Sequence, residues 1–304
     1  MSMIAAVLAA ALAASAPQDP PGGVVAAPQE AATELDAITV RGRLEDRSRA
    51  FVEEVSRAPG RRPLARWNSP ICAGVMNMQA DSAQFLIDRI ATVAAVLGVE
   101  SGEPGCDPNL MILMARSENA TEVMREAVRE RVLAFSPSRN GTDLGREKLD
   151  EFVNSDAPVR WWHIALPVSA ETGAPAIALD GEDPPDVVSP GISRLHPPIR
   201  NDLVRVFVVI DADRVAGVSL AALSNYVAMV ALAQVDPETD MSESDTILNL
   251  FNPSRPGGGR MTDWDAAFLL ALYDGRSNPV GRAAQQRELA RDMVSELTGS
   301  GRGG

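Results

Sequence analysis

The sequence predicts an α+β protein in which a mixed β-sheet is packed with helices and the C-terminal third is helical. Three observations lead to this class. Short segments rich in Val and Ile alternate with longer amphipathic segments in the first two thirds of the chain. After residue 211 the recurring pattern is helical. The 304 residues, 45% of them apolar, are enough for one large domain or two small ones.

The N-terminal segment is predicted to be a secretory signal peptide. Residues 1–16 form an apolar run that ends in a small-x-small triplet and is stopped by Pro17. The run is short for a bilayer-spanning helix, and no Lys or Arg precedes it, so retention as an anchor is the alternative. We expect a periplasmic or secreted protein with no integral membrane span once the signal is removed.

The next segment, 17–44, is predicted to be a flexible arm because it is rich in Pro, Ala and acidic residues and has no sustained period. Within it, AITVRGR (37–43) alternates apolar and polar residues as a loosely held edge strand would. A single α+β domain is predicted at 45–299, followed by a disordered Gly-rich tail at 300–304.

Helices are predicted where apolar residues recur every three or four positions, and strands where Val, Ile and Leu run together or alternate. The helix predicted at 81–98 has a wide apolar face that includes Phe85 and Val96. The helix at 119–135 begins with a capping box from Asn119 to Glu122. The predicted elements up to residue 211 are helices at 45–58, 81–98, 119–135 and 142–154, and strands at 70–78, 109–115, 159–170 and 203–211.

Every element predicted after residue 211 is a helix. Ser219 is the expected cap of a helix that continues to residue 235. Capping boxes Ser242-x-x-Asp245 and Thr262-x-x-Asp265 predict helices at 242–251 and 262–274, and a final amphipathic helix is predicted at 282–298.

The charge of the chain argues against nucleic-acid binding. The formal net charge is −13, and the 28 basic residues are scattered among acidic ones. A surface that follows a phosphate backbone needs clustered Lys and Arg, which this pattern does not provide.

The two cysteines, Cys72 and Cys106, are predicted to form a disulfide. Both lie beside predicted strands, and export would place them in an oxidising compartment. Two buried free thiols are the alternative.

No metal or other cofactor is expected. The two histidines, His163 and His196, each lack a second ligand four positions away on a helix, although a two-histidine zinc site remains geometrically conceivable. Asp211 and Asp213 end the strongest strand and could hold Mg²⁺ or act as acid and base. Their simpler role is to start the following turn and cap the next helix.

The segment LSNYVAMVALAQV (223–235) has the spacing of the H-E-x-x-H helix of zinc peptidases, but Asn225, Tyr226 and Met229 occupy the motif positions. Asn and Met are a poor zinc pair, and Tyr is a weak base at neutral pH, so the peptidase mechanism cannot operate. The same spacing also fits a buried structural helix, with Met229 in the core.

The order of segments around this helix carries a family resemblance. LVRVFVVID, LSNYVAMVALAQV, DTILNLF and MTDWDAAFLLALYD follow one another over the last third. This order resembles an uncharacterised group of secreted bacterial proteins with a metzincin-like fold, in which the H-E-x-x-H position is degenerate. The resemblance covers residues 65–298 and implies a zincin-like arrangement, but no established activity.

From this resemblance we expect an exported, envelope-associated, non-catalytic protein that binds a peptide, glycan or envelope protein. The binding positions would be Asn225, Tyr226 and Met229, in a degenerate peptidase-like cleft. The alternative is a hydrolase of another kind that uses carboxylates such as Asp211 and Asp213.

Overall fold

The structure, a computed structural model, describes residues 29–56, 62–135, 145–176, 198–254, 257–275 and 278–299, with side chains described from residue 41 onward except at 132 and 133. The described residues from Arg41 onward belong to one compact unit. The elements in chain order are α1 Gln29–Val55, β1 Ala73–Met76, α2 Ala80–Val96, β2 Leu110–Ala115, α3 Ser117–Glu130, α4 Val132–Phe135, α5 Gly145–Asn154, β3 Val159–Ser169, β4 Ile199–Asp211, α6 Leu220–Leu232, a 3-10 helix Ile247–Phe251, α7 Asp263–Asp274 and α8 Arg282–Leu297.

The centre of the fold is a mixed four-stranded sheet in the order β1-β2-β4-β3. Strands β1, β2 and β4 are parallel, and β3 runs antiparallel to β4. Strand β4 lies inside the sheet, and its Val- and Ile-rich second half is largely buried, as expected for a strand covered on both faces. The predicted α+β class with a mixed sheet packed with helices is therefore confirmed.

Helices cover both faces of this sheet because successive side chains of a strand point to opposite sides. In β4, Val206 and Val208 belong to a core cluster shared with α2, α6, α7 and α8. The alternate residues Phe207 and Val209 belong to a second cluster shared with α3, α4 and α5. The result is a sheet between two helical layers.

Helix α6 is the most deeply buried helix of the first layer. Every residue from Ala222 to Leu232 is buried, which fits a segment that has apolar residues on all sides. Its N-terminus is capped as the sequence predicts, because the Ser219 side chain accepts a hydrogen bond from the Ala222 backbone N–H at 3.2 Å.

The predicted disulfide between Cys72 and Cys106 is present, with the two Cα atoms 6.0 Å apart. It joins the segments that precede β1 and β2. Gly102 lies against it, and a Cβ atom at this position would be only 2.7 Å from the Cys106 sulfur. Glycine is therefore required for the close approach of this loop.

Two predicted elements are wrong. The predicted edge strand at 37–43 lies inside helix α1, because good helix formers on both sides extend the helix through a short alternating stretch. The helix predicted at 242–251 is reduced to the 3-10 helix, whose cap is Thr246 rather than Ser242. The Thr262–Asp265 capping box of α7 is confirmed.

Smaller differences occur in α2 and α3. Phe85 and Val96 are 45% and 65% exposed, so the apolar face of α2 is wider than its contact with the core. Helix α3 begins after Arg116, without a side-chain cap, so the box assigned to Asn119 is wrong. The predicted signal peptide (1–16), part of the arm and the tail at 300–304 lie outside the described residues.

Within the described ranges, no helix is both long and apolar enough to cross a membrane.

Candidate functional site

The three motif positions of α6 lie within the packed interior. Met229 has no exposed surface, which confirms its predicted burial, and Asn225 and Tyr226 are 6% and 7% exposed. A ligand therefore has no access to the Met229 side chain in this conformation. The chemistry of each position is defined by the groups packed around it.

Asn225 links two neighbouring segments through its amide group. Its Oδ1 accepts a hydrogen bond from Nε of Arg89 on α2 at 2.6 Å, and its Nδ2 donates to the Gly259 carbonyl at 3.0 Å. Gly259 has a φ of +70°, and a Cβ atom there would lie 2.8 Å from Cβ of Ala222. The Gly-rich loop can therefore approach α6 only because this residue is glycine.

Tyr226 is part of an aromatic cluster. Its ring packs edge-on against Trp161 and Phe251, with centroids 6.0 and 5.1 Å away. Burial raises the pKa of its phenol well above the usual value, because ionisation would place a charge in this apolar surrounding. Tyr226 therefore stays protonated at neutral pH and cannot replace a carboxylate base.

His163 lies on β3 and faces the C-terminal end of α6. Its Nε2 is 2.7 Å from the Val230 carbonyl, so this nitrogen carries the proton in the neutral ring. Burial lowers the pKa of His163 to about 4. The second histidine, His196, lies outside the described residues, and among those residues no group of three His, Cys, Asp or Glu side chains could hold a metal ion.

Two further side chains bind the next carbonyls of α6. The indole Nε1 of Trp67 donates to Ala231 at 2.8 Å, and the Tyr273 hydroxyl donates to Leu232 at 2.7 Å. The last four carbonyls of a helix have no partner within the helix, so these donors satisfy groups that would otherwise be buried unpaired. His163, Trp67 and Tyr273 thus form a C-terminal cap for α6.

The acidic pair at the end of β4 has a structural arrangement. Asp211 accepts a hydrogen bond from the Ser117 hydroxyl at 2.7 Å and from the backbone N–H groups of Asp213 and Arg214 at 3.1 and 3.2 Å. Asp213 accepts from the Ser117 N–H at 3.0 Å. The turn predicted after β4 is confirmed. The helix to which Asp211 and Asp213 are hydrogen-bonded is α3, however, rather than the following helix α6.

An open cleft of about 480 Å³ lies at the carboxyl ends of β1 and β2, beside the first turns of α2 and α6. Carboxyl ends of parallel strands are where open α/β sheets bind ligands. The apolar part of the lining comes from the side chains of Met78, Met114 and Leu220, and polar residues complete it: Asn77, Gln79 and Ser82, with Ala80 between them.

Sequence reasoning did not identify these cleft residues or Arg89. The available signals were the polar stretch directly after the strand predicted at 70–78 and the excess apolar width of the helix predicted at 81–98. Neither signal shows that α2 and α6 begin side by side, because that contact joins segments far apart in the sequence.

Comparisons with protein-family models, with curated proteins and with solved structures found no match for this chain.

Proposed function

We propose that this protein is an exported, envelope-associated binding protein that holds a peptide, glycan or protein partner without cleaving it. The observation that carries the proposal is the open cleft at the carboxyl ends of β1 and β2, where apolar and polar side chains are combined. Such a combination is typical of ligand sites, in which apolar surface provides affinity and a few polar groups fix orientation.

The residues suited to chemistry support a non-catalytic role because they hold the fold together. Both amide atoms of Asn225 are hydrogen-bonded, and the Nε2 proton of His163 is directed at the Val230 carbonyl. Asp211 fastens the turn after β4 to α3.

A zincin-like arrangement belongs to the same proposal. Helix α6 follows β4 closely, in the strand-then-helix order that the family resemblance implies. Zinc does not fit the motif positions, because Met229 is enclosed and the Asn225 oxygen already accepts a hydrogen bond from Arg89. No metal-dependent step is therefore proposed.

Export is supported by the disulfide, since such bonds persist in oxidising compartments. N-terminal sequencing of protein from a periplasmic fraction should begin near Pro17. Recovery of the uncleaved chain from the cytosol alone would contradict export.

The binding role can be tested by site-specific photo-crosslinking in intact cells. A photoreactive residue at Ser82, in the cleft, should capture a partner, whereas the same residue at the exposed Arg287 on α8 should not. The additional change Leu220→Arg, which fills the cleft, should abolish the adduct. Circular dichroism checks that each variant is folded. Equal capture at both positions, or capture at neither, would contradict the proposed site.

A further inference from the structure

We propose that Arg89 is a carboxylate receptor next to the cleft, and that the ligand is a peptide with an apolar side chain and a carboxylate about three residues apart. This inference rests on the proposed function and names the ligand class of that site. The apolar side chain occupies the cleft, and the carboxylate of an Asp or Glu side chain binds the guanidinium group.

The first observation is that Arg89 is held in place without being neutralised. Its Nε donates to Asn225, which is itself fixed by the Gly259 carbonyl. Its two terminal nitrogens have no hydrogen bond or ion pair within the described parts of the chain. A guanidinium fixed at Nε presents its remaining N–H groups as a planar fork, the geometry that binds a carboxylate through two parallel hydrogen bonds.

Within the described parts of the chain no acidic side chain forms an ion pair with Arg89, although the chain carries 41 acidic and 28 basic residues. Some other arginines do have a carboxylate partner, as in the pair formed by Arg200 and Asp202. Two acidic residues of α2, Asp81 and Asp88, could approach Arg89. Both are exposed, and each lies about 80–100° around the helix axis from Arg89.

The second observation is the position of Arg89 relative to the cleft. Helices α2 and α6 follow parallel strands and both begin at the cleft, so they run in the same direction from it. Ser82 lines the cleft, and Arg89 lies two turns further on the same face of α2. Seven residues of helix advance by about 10 Å, which an extended peptide covers with about three residues.

The third observation is the exposed apolar surface beside this path. Phe85, between Ser82 and Arg89 along α2, is 45% exposed, and Val96 follows Arg89 on the same side at 65%. A second basic residue, exposed Arg260, follows Gly259, whose carbonyl binds the Asn225 amide that also holds Arg89. An apolar surface ending at basic groups is complementary to a peptide that is apolar and acidic.

Fluorescence anisotropy with matched peptides tests this inference on the full-length processed protein. One peptide carries Leu-Ala-Ala-Glu between Gly and Ser residues with both ends blocked, a second has Gln in place of Glu, and a reversed pair has the acidic residue first. Wild-type protein should bind the Glu peptide of at least one pair about tenfold more tightly than its Gln counterpart, as a charge-assisted hydrogen bond allows.

Variants of Arg89 show whether its guanidinium group is what binds the peptide carboxylate. Arg89→Gln should remove the preference for Glu and leave the affinity for the Gln peptide unchanged. Arg89→Lys, which keeps the charge but loses both the fork and the Nε donor, should recover only part of the preference. Arg287→Gln on α8 is the matched control and should behave like the wild type.

The outcomes separate this inference from the proposed function. Equal binding of Glu and Gln peptides, lost in Leu220→Arg, would overturn the role of Arg89 and leave the cleft as a binding site. A Glu preference that survives Arg89→Gln would likewise overturn it. Failure of every peptide to bind would overturn the peptide class, and the crosslinking at Ser82 then decides independently whether the cleft binds any partner.

Discussion

Met229 occupies the position of the second metal ligand in the peptidase motif, but its side chain is fully enclosed between α6 and its neighbours. Met229→Ala should lower the free energy of unfolding by about 2–5 kcal/mol, because it removes buried apolar atoms and leaves a cavity. Chemical denaturation measures the loss.

A matched control is Met76→Ala, since Met76 is 50% exposed and the same atoms are deleted. That change should alter the free energy of unfolding by no more than about 0.5 kcal/mol. Met229→His should also destabilise the protein and bind no zinc. A near-neutral Met229→Ala would mean that this face of α6 is open, and the motif positions would then become the binding site.

His163 should make stability depend on pH. Its pKa is about 4 in the folded protein and about 6.5 in an unfolded chain, so the unfolded state binds the extra proton first as pH falls. The stabilisation from the neutral ring is fully present above pH 6.5. As the pH falls from 6.5 to 4, the free energy of unfolding decreases by about 3 kcal/mol. Gln can still donate a hydrogen bond to the Val230 carbonyl but does not titrate. His163→Gln should therefore lose less unfolding free energy over this pH range than the wild type does, as measured by chemical denaturation at several pH values.

Proton NMR provides an independent check, because the chain has only two histidines. One imidazole signal should remain that of a neutral ring through the range near pH 6.5 and should titrate only near pH 4. Titration of both signals near pH 6.5 would contradict the burial of a neutral His163.

At the scale of elements, the two ends of α6 differ in what the sequence reveals. The Ser219 cap is predictable because its partner, the Ala222 N–H, is three residues away. The C-terminal cap is not, because its donors Trp67, His163 and Tyr273 lie 164, 67 and 41 positions from the carbonyls that they bind. Local pattern therefore locates the helix and its start, while tertiary contacts determine how it ends.

This C-terminal cap can be tested with the two tyrosines of the chain. Tyr273→Phe leaves the Leu232 carbonyl buried without its donor and should lower the free energy of unfolding by about 1–3 kcal/mol. Tyr226→Phe is the control, because the Tyr226 hydroxyl has no hydrogen-bond partner in the described part of the chain, and it should be close to neutral. Urea denaturation of both variants gives the comparison, and equal effects would show that the hydrogen bond to Leu232 contributes no net stability.

Across the complete fold, the sequence predicts the α+β class and most helices and strands, but it does not predict the candidate binding site. Strands and helices have local periods, so α2, β2, α7 and α8 are found within about two residues of their predicted bounds. The arrangement that matters for binding joins Arg89 on α2 to Asn225 on α6, 136 positions apart. Such a contact depends on strand order, which a single sequence does not specify.

The disulfide fixes the chain at the start of two neighbouring parallel strands. Cys72 and Cys106 are 34 positions apart, and closing a loop of this length restricts the unfolded chain by about 3–4 kcal/mol in the chain-entropy model. The double variant Cys72→Ser, Cys106→Ser should lose about this much unfolding free energy in urea, and wild-type protein with a reducing agent should show the same decrease. Alkylation of denatured, unreduced wild-type protein should label neither sulfur. If the double variant were as stable as the wild type, the cross-link would not stabilise the fold. The disulfide would then support export only because its formation requires an oxidising compartment.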